Sequence, residues 1–293
     1  MAYQRFSLFP DSPSFKDFFS ARSMRYRWRN GDPVITVTIM AICVAVWIVE
    51  TLLKIVWPTG CNAFVGSGVF MPALATHRPW TFITSMFLHQ PASLWHILFN
   101  MLTLWCVGPV LERMMGHLPY LALYVLSGLG GSAGMMVWAL FSQDGWLTSA
   151  YGASGALFGL FAAILVVYQR IGIDIRSMLI WMLINFLMPI ITPNIAWQAH
   201  VGGFIIGGVF AWLLVSGLHA LRGKSLQQRT LMYGVIMLAV IIAIVVACNM
   251  SNPLSQTRFL ACSPSGRKEK NRFGESQTHT YPQVWISVWI SEG

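Results

Sequence analysis

The sequence predicts an all-α fold, a polytopic membrane helix bundle of seven spans. Three observations predict it. The chain of 293 residues is 56% hydrophobic and only 10% charged, whereas a soluble domain carries about 25% charged residues. Its mean hydropathy is +0.60, so much of its apolar surface needs lipid to cover it. The apolar residues collect into seven runs, at about 34–57, 94–115, 118–141, 153–169, 175–193, 196–217 and 231–249, each near the ~20 residues that a helix needs to cross a bilayer. Finally, Lys and Arg lie mainly between those runs. The net charge of +9 is then a topology signal and calls for no nucleic acid partner.

Residues 1–33 are polar, with Arg22, Arg25, Arg27 and Arg29 close together, and read as a cytoplasmic basic segment flanking the first span. No small-residue cleavage site follows the first apolar run, which argues against a cleaved signal peptide. The loop 58–93 is long and half apolar (Phe64, Phe70, Trp80, Phe82, Phe87) and is expected to pack on protein, partly within the membrane. The fourth run is short, ~25 Å at 1.5 Å per residue. The basic residues of the N-terminus, Arg113, Arg170 to Arg176 and Arg222 to Arg229 alternate to one side. That places the N-terminus in the cytoplasm and, with seven spans, the C-terminus outside. Residues 218–249 form a cytoplasmic loop and the seventh span. Residues 250–293 form a polar external tail, expected to be disordered, that ends in the apolar run Val284 to Ile290. The five cysteines show no metal or disulfide spacing.

In this topology spans 2, 4 and 6 all begin on the external side, and each carries polar residues near its start. In span 4, Gly152-Ala153-Ser154-Gly155 opens an apolar helix. Ser154 is either one of a small-residue packing cluster, with Gly155 and Gly159 four apart, or a nucleophile. In span 6, Ala199, Gly203 and Gly207 recur every four residues beside His200, which is either an interhelical hydrogen bonder or a general base. If the two small-residue stripes face each other, Ser154 and His200 reach one rim. In span 2, His96 and Asn100 share a helix face, as a polar clamp or as donors to a developing oxyanion. Polar residues inside a membrane are costly and point to function. His89 is seven residues before His96, but no cysteine or carboxylate stands near in sequence, so no metal site is expected. Glu112 and Arg113 read as a structural anchor. There is no H-E-x-x-H of a zinc protease, and Asp144 and Asp174 are loop residues, which argues against an aspartyl intramembrane protease.

With these motifs in order, the chain resembles the rhomboid intramembrane serine proteases over about residues 34–217, which implies a six-span rhomboid core with the seventh, C-terminal span added to it. The resemblance rests on H-x-x-x-N (His96, Asn100), G-x-S-G (Gly152, Ser154, Gly155) and A-H-x-G-G (Ala199, His200, Gly202, Gly203), with Phe87-Leu88-His89 and Gly108-Pro109-x-x-Glu112 beside them. It implies a Ser154–His200 catalytic dyad and an oxyanion hole of His96, Asn100 and the Ser154 backbone amide. No cofactor is implied. The substrates would be single-span or other transmembrane proteins in the lipid bilayer, cut in or near their span. Phe158 stands where the family often has a tyrosine packed on the histidine. A bacterial plasma (inner) membrane is the expected location. A rhomboid-like pseudoprotease that binds membrane helices, or a small transporter, are the alternatives.

Overall fold

The computed structural model describes residues 21–254 apart from 173, 175, 177, 178, 181, 185, 187–195, 218–220 and 222. Nine helices with defined bounds lie among the described residues: α1 (Ala21–Asn30), α2 (Val34–Val56), α3 (Pro58–Gly68), α4 (Thr81–Thr84), α5 (Leu94–Met115), α6 (His117–Ala139), α7 (Ser154–Ile171), α8 (Trp197–Ser216) and α9 (Leu226–Asn249). Short 3-10 turns occur at Pro72–Leu74 and Gln143–Trp146. Six helices, α2, α5, α6, α7, α8 and α9, are long and apolar enough to cross a membrane. That is one fewer than the seven spans expected. The difference is the 175–193 stretch, in which residues 176, 179, 180, 182–184 and 186 are helical and the rest lie outside the described residues. The predicted tail beyond 254 and most of the N-terminal segment also lie outside them.

The ends of these helices have local causes. Ser225 caps α9, accepting from the Gln228 amide while the Gln228 side chain accepts from the Ser225 amide. This capping box starts the helix at Leu226, earlier than the apolar run alone indicates. α7 stops at Gly172, whose φ of +73° suits the left-handed position that ends a helix. α2 begins under Glu112 of α5. The buried Glu112 carboxylate accepts from the amides of Ile35 and Thr36, both at 2.8 Å, and from the Thr36 hydroxyl at 2.7 Å. It also lies 2.7 Å from His117 Nδ1. The other imidazole nitrogen of His117 donates to the Trp28 carbonyl at 2.9 Å, and the Trp28 ring stacks on the imidazole. The predicted anchor thus ties α1, α2, α5 and α6 together.

At the centre, α8 packs between α6 and α7. Their approach is set by residues without side chains. A Cβ added at Gly203 would strike the Gly155 carbonyl oxygen, one at Gly207 would lie 2.6 Å from the Gly159 carbonyl oxygen, and one at Gly202 would lie 3.0 Å from Gly134 Cα. Backbones this close gain dispersion contacts along their whole length, which drives packing where lipid removes the hydrophobic drive. Large apolar side chains on the outer faces, such as Ile55, Leu231 and Val235, are exposed, as lipid-facing residues are. The 58–93 segment folds back on the bundle. Phe70, Ala73, Met86 and Leu88 are buried, and Phe70 pairs with Ala150 in an isolated antiparallel bridge.

Candidate active site

The beginnings of α5, α7 and α8 converge. Ser154 is the first residue of α7, where amides have no partner within the helix. Its hydroxyl oxygen lies 3.0 Å from His200 Nε2. The turn that presents it is held by the 58–93 segment, with Gly152 N–H donating to the Ser85 carbonyl at 2.8 Å. Gly152 has φ +122°, a conformation that residues with a Cβ rarely adopt.

His200 is buried, one turn into α8. Its ring lies flat on that of Phe158, with centroids 4.2 Å apart and planes 16° from parallel. Nδ1 is buried with no partner among the described residues, and among them it is the Phe158 ring that stacks on the imidazole. Phe158 is itself wedged by Phe161 and Phe186. The small residues Gly155, Gly159, Ala199, Gly203 and Gly207 all lie at the α7–α8 contact: the added Cβ at Gly155 would meet the Ala199 carbonyl oxygen at 3.4 Å, and that at Gly159 would meet the Gly203 carbonyl oxygen at 2.8 Å.

His96 occupies the first turn of α5. The Gln90 amide donates to its Nδ1 at 3.0 Å, so in the neutral ring the proton sits on Nε2. That Nε2 lies 3.0 Å from the point where a Cβ on Gly152 would stand, and Ser154 Oγ lies 3.9 Å from the same point. A donor thus faces the space beside the serine that the missing side chain leaves open. Asn100 is one turn further on and nearly buried. Its Nδ2 donates to the His96 carbonyl at 2.7 Å, which orients the amide and leaves a second N–H on the same nitrogen. Asn100 Oδ1 has no partner among the described residues.

His89 packs against His96, ring centroids 5.2 Å apart. Burial pushes its pKa down to about 3, which keeps the ring neutral. Among the described residues no group of three or more His, Cys, Asp or Glu is placed to hold a metal. Two contributors were missed in the sequence. Glu50, buried in α2, accepts from the His89 amide at 3.1 and 3.3 Å. Gln90 sets the His96 tautomer through its backbone. Glu50 had a signal, a lone carboxylate inside an apolar span. Gln90 had none, since any residue but proline offers that amide.

A sequence model of the Rhomboid domain matches residues 76–217. The chain is 32% identical over 194 residues to the rhomboid relative YdcA of Bacillus subtilis (strain 168), covering 62% of this chain and 89% of that one. It is 26% identical over 233 residues to Rhomboid protease AarA of Providencia stuartii, covering 71% and 82%. It is 34% identical over 143 residues to RHOMBOID-like protein 5 of Arabidopsis thaliana, covering 46% of this chain and 44% of that protein. The chain thus spans less than half the length of the Arabidopsis relative.

Proposed function

Since the chain belongs to the rhomboid family and is a multi-pass membrane protein, we propose that it is an intramembrane serine endopeptidase that cuts transmembrane proteins in or near their span. The observation that carries the reading is the 3.0 Å approach of Ser154 Oγ to His200 Nε2 beside the Nε2–H of His96.

In this reading His200 Nε2 takes the hydroxyl proton as Ser154 Oγ attacks the scissile carbonyl carbon. Negative charge moves to the carbonyl oxygen, where His96 Nε2–H, the free Asn100 N–H and the Ser154 backbone amide receive it. Such fixed donors act strongly in a site with little water, because they are already oriented when the charge develops. The tetrahedral species collapses as the imidazolium protonates the leaving amine. Water then attacks the acyl-serine with His200 as base, and the serine is regenerated. Stacking on Phe158 holds the imidazole in the one orientation that serves both transfers.

A helical substrate hides its carbonyls in hydrogen bonds, so local unwinding must precede attack. Transmembrane segments rich in Gly or other weak helix formers are therefore the expected substrates. We further propose a plasma membrane location, with the N-terminus cytoplasmic and the site opening to the outside. The alternating basic loops support this.

The test is cleavage of a transmembrane substrate in proteoliposomes, with labelling by a fluorophosphonate. The parent should cut and label, and Ser154→Ala and His200→Ala should do neither while still inserting. Cleavage by Ser154→Ala at the parental rate would refute the assignment. A well-folded parent that neither cuts nor labels would favour a helix-binding pseudoprotease.

A further inference from the structure

The turn that presents Ser154 is held by backbone bonds to the 58–93 segment. Phe70 N–H donates to Ala150 O at 3.0 Å, Ala150 N–H donates to Phe70 O at 2.8 Å, and Gly152 N–H donates to Ser85 O at 2.8 Å. The position of that segment therefore sets the position of the serine. On one side it is tied to α2, through Glu50 and through Thr51, whose hydroxyl accepts from the Ala92 amide. On the other side it is tied to the end of α9, beyond residue 217 where the Rhomboid domain match stops.

That second tie is Asn252. Its side chain is fully buried, and Nδ2 donates to the Ala73 carbonyl at 3.0 Å, across 179 positions of sequence. Ala73 is three residues from Phe70, the residue that pairs with Ala150. The Asn252 amide is itself held, with Nδ2 also donating to Asn249 Oδ1 and Oδ1 accepting from the Leu254 amide. Around it Phe70, Ala73, Met135, Met136, Trp146 and Cys248 form one buried apolar cluster. This cluster joins the loop, the end of α6, the turn before Ser154 and the end of α9. The other end of α9 is fastened to α8, the helix of His200, by the Arg229 guanidinium, which donates to the carbonyls of Leu213 and Leu214. Only 22% of the most apolar stretch of α9 is buried, and polar ties fasten the helix at both ends.

We propose that Asn252 is a positioning residue for Ser154, acting through Ala73 and the Phe70–Ala150 pair, and that α9 is thereby part of the active-site scaffold. This rests on the reading of Ser154 as nucleophile. Asn252 touches no reacting atom. It sets the register of the loop that sets the turn.

The test compares full-length parent, Asn252→Asp, Asn252→Ala and the lipid-facing control Val235→Ala in proteoliposomes. Asn252→Asp replaces the N–H2 that donates to Ala73 and Asn249 and keeps an acceptor for the Leu254 amide, and it carries the test should Asn252→Ala not be recovered folded. Three quantities are read: kcat and KM on a transmembrane substrate, the rate of fluorophosphonate labelling at Ser154, and amide hydrogen exchange in residues 147–153. Loss of the bond to Ala73, the one that reaches the turn, predicts at ordinary strength that kcat and labelling fall by about five- to tenfold. KM should stay within about twofold, and exchange should rise in 147–153. Val235→Ala should match the parent. The proposal is overturned if exchange rises only near 245–254, or if labelling and kcat per folded molecule stay parental. A parent that fails to label would count against the serine reading alone, because the exchange of 147–153 still reports whether Asn252 holds the turn.

Discussion

Gly152→Ala tests the oxyanion geometry most directly, because the added methyl enters the space the substrate oxygen would use. The new Cβ would stand 3.0 Å from His96 Nε2 and 3.2 Å from its Cε1, closer than a relaxed carbon contact of about 3.5–4.0 Å. The imidazole must yield by several tenths of an ångström. Its Nδ1 is held by the Gln90 amide, so the ring tilts its Nε2–H away from Ser154. Loss of one oxyanion donor costs about 2.7–4 kcal/mol in the transition state, or roughly 10²–10³ in kcat. The φ of +122° adds about 1–3 kcal/mol of backbone strain in the folded state. Gly172→Ala separates the two effects. It has φ +73° and nothing among the described residues within 4 Å of its added Cβ, so it should lose about 1–2 kcal/mol of stability and keep its kcat. The assay is kcat on a transmembrane substrate in proteoliposomes, with thermal stability measured in parallel. A Gly152→Ala enzyme with parental kcat would refute the placement of the oxyanion beside His96.

Other consequences are as direct. Asn100→Ala should lower kcat by about 10²–10³ and leave fluorophosphonate labelling detectable, unlike Ser154→Ala; equal loss in both would remove Asn100 from the donor set. Phe158→Tyr keeps the ring on His200 and should retain activity within a few-fold. Phe158→Ala removes the stack and should cost about 3–5 kcal/mol of stability, read by thermal or denaturant unfolding. Glu112→Gln replaces with N–H2 one of the two oxygens that accept from the Ile35 and Thr36 amides, and should destabilise by about 1.5–3 kcal/mol, read the same way. His89 has a folded pKa depressed to about 3 from 6.5. Between those values unfolded His89 binds more protons than folded His89, so its contribution to stability is constant above pH 6.5 and is lost as the pH drops through the window. The change in thermal stability between pH 7 and pH 5 should therefore shift in His89→Gln relative to the parent, with a smaller loss at pH 5.

The helices at 34–56, 94–115 and 197–216 could be read with little error, because an apolar run of about 20 residues has few ways to satisfy its backbone except as a spanning helix. Ser154, His96, Asn100 and His200 stood out for a related reason: polar groups in such runs are expensive and few. The serine in a small-residue cluster remained open between packing and chemistry while only its neighbours in sequence were known. What the sequence lacked is the 3.0 Å approach of Ser154 to His200, 46 residues away, because a distance across the chain is a property of packing.

Composition, run length and the placement of charge were thus enough to determine a membrane helix bundle and to mark its polar residues, because those depend on local partition between water and lipid. The tertiary structure alone decided which of those residues meet. It decided that His96 turns Nε2 inward, because the amide of Gln90 claims the other nitrogen. It also decided that Glu50 and Asn252, far apart in the chain, grip the same loop, at His89 and at Ala73. A backbone amide or carbonyl can serve any residue type, so contacts made through it leave no mark in the sequence. Only folding brings their partners within reach.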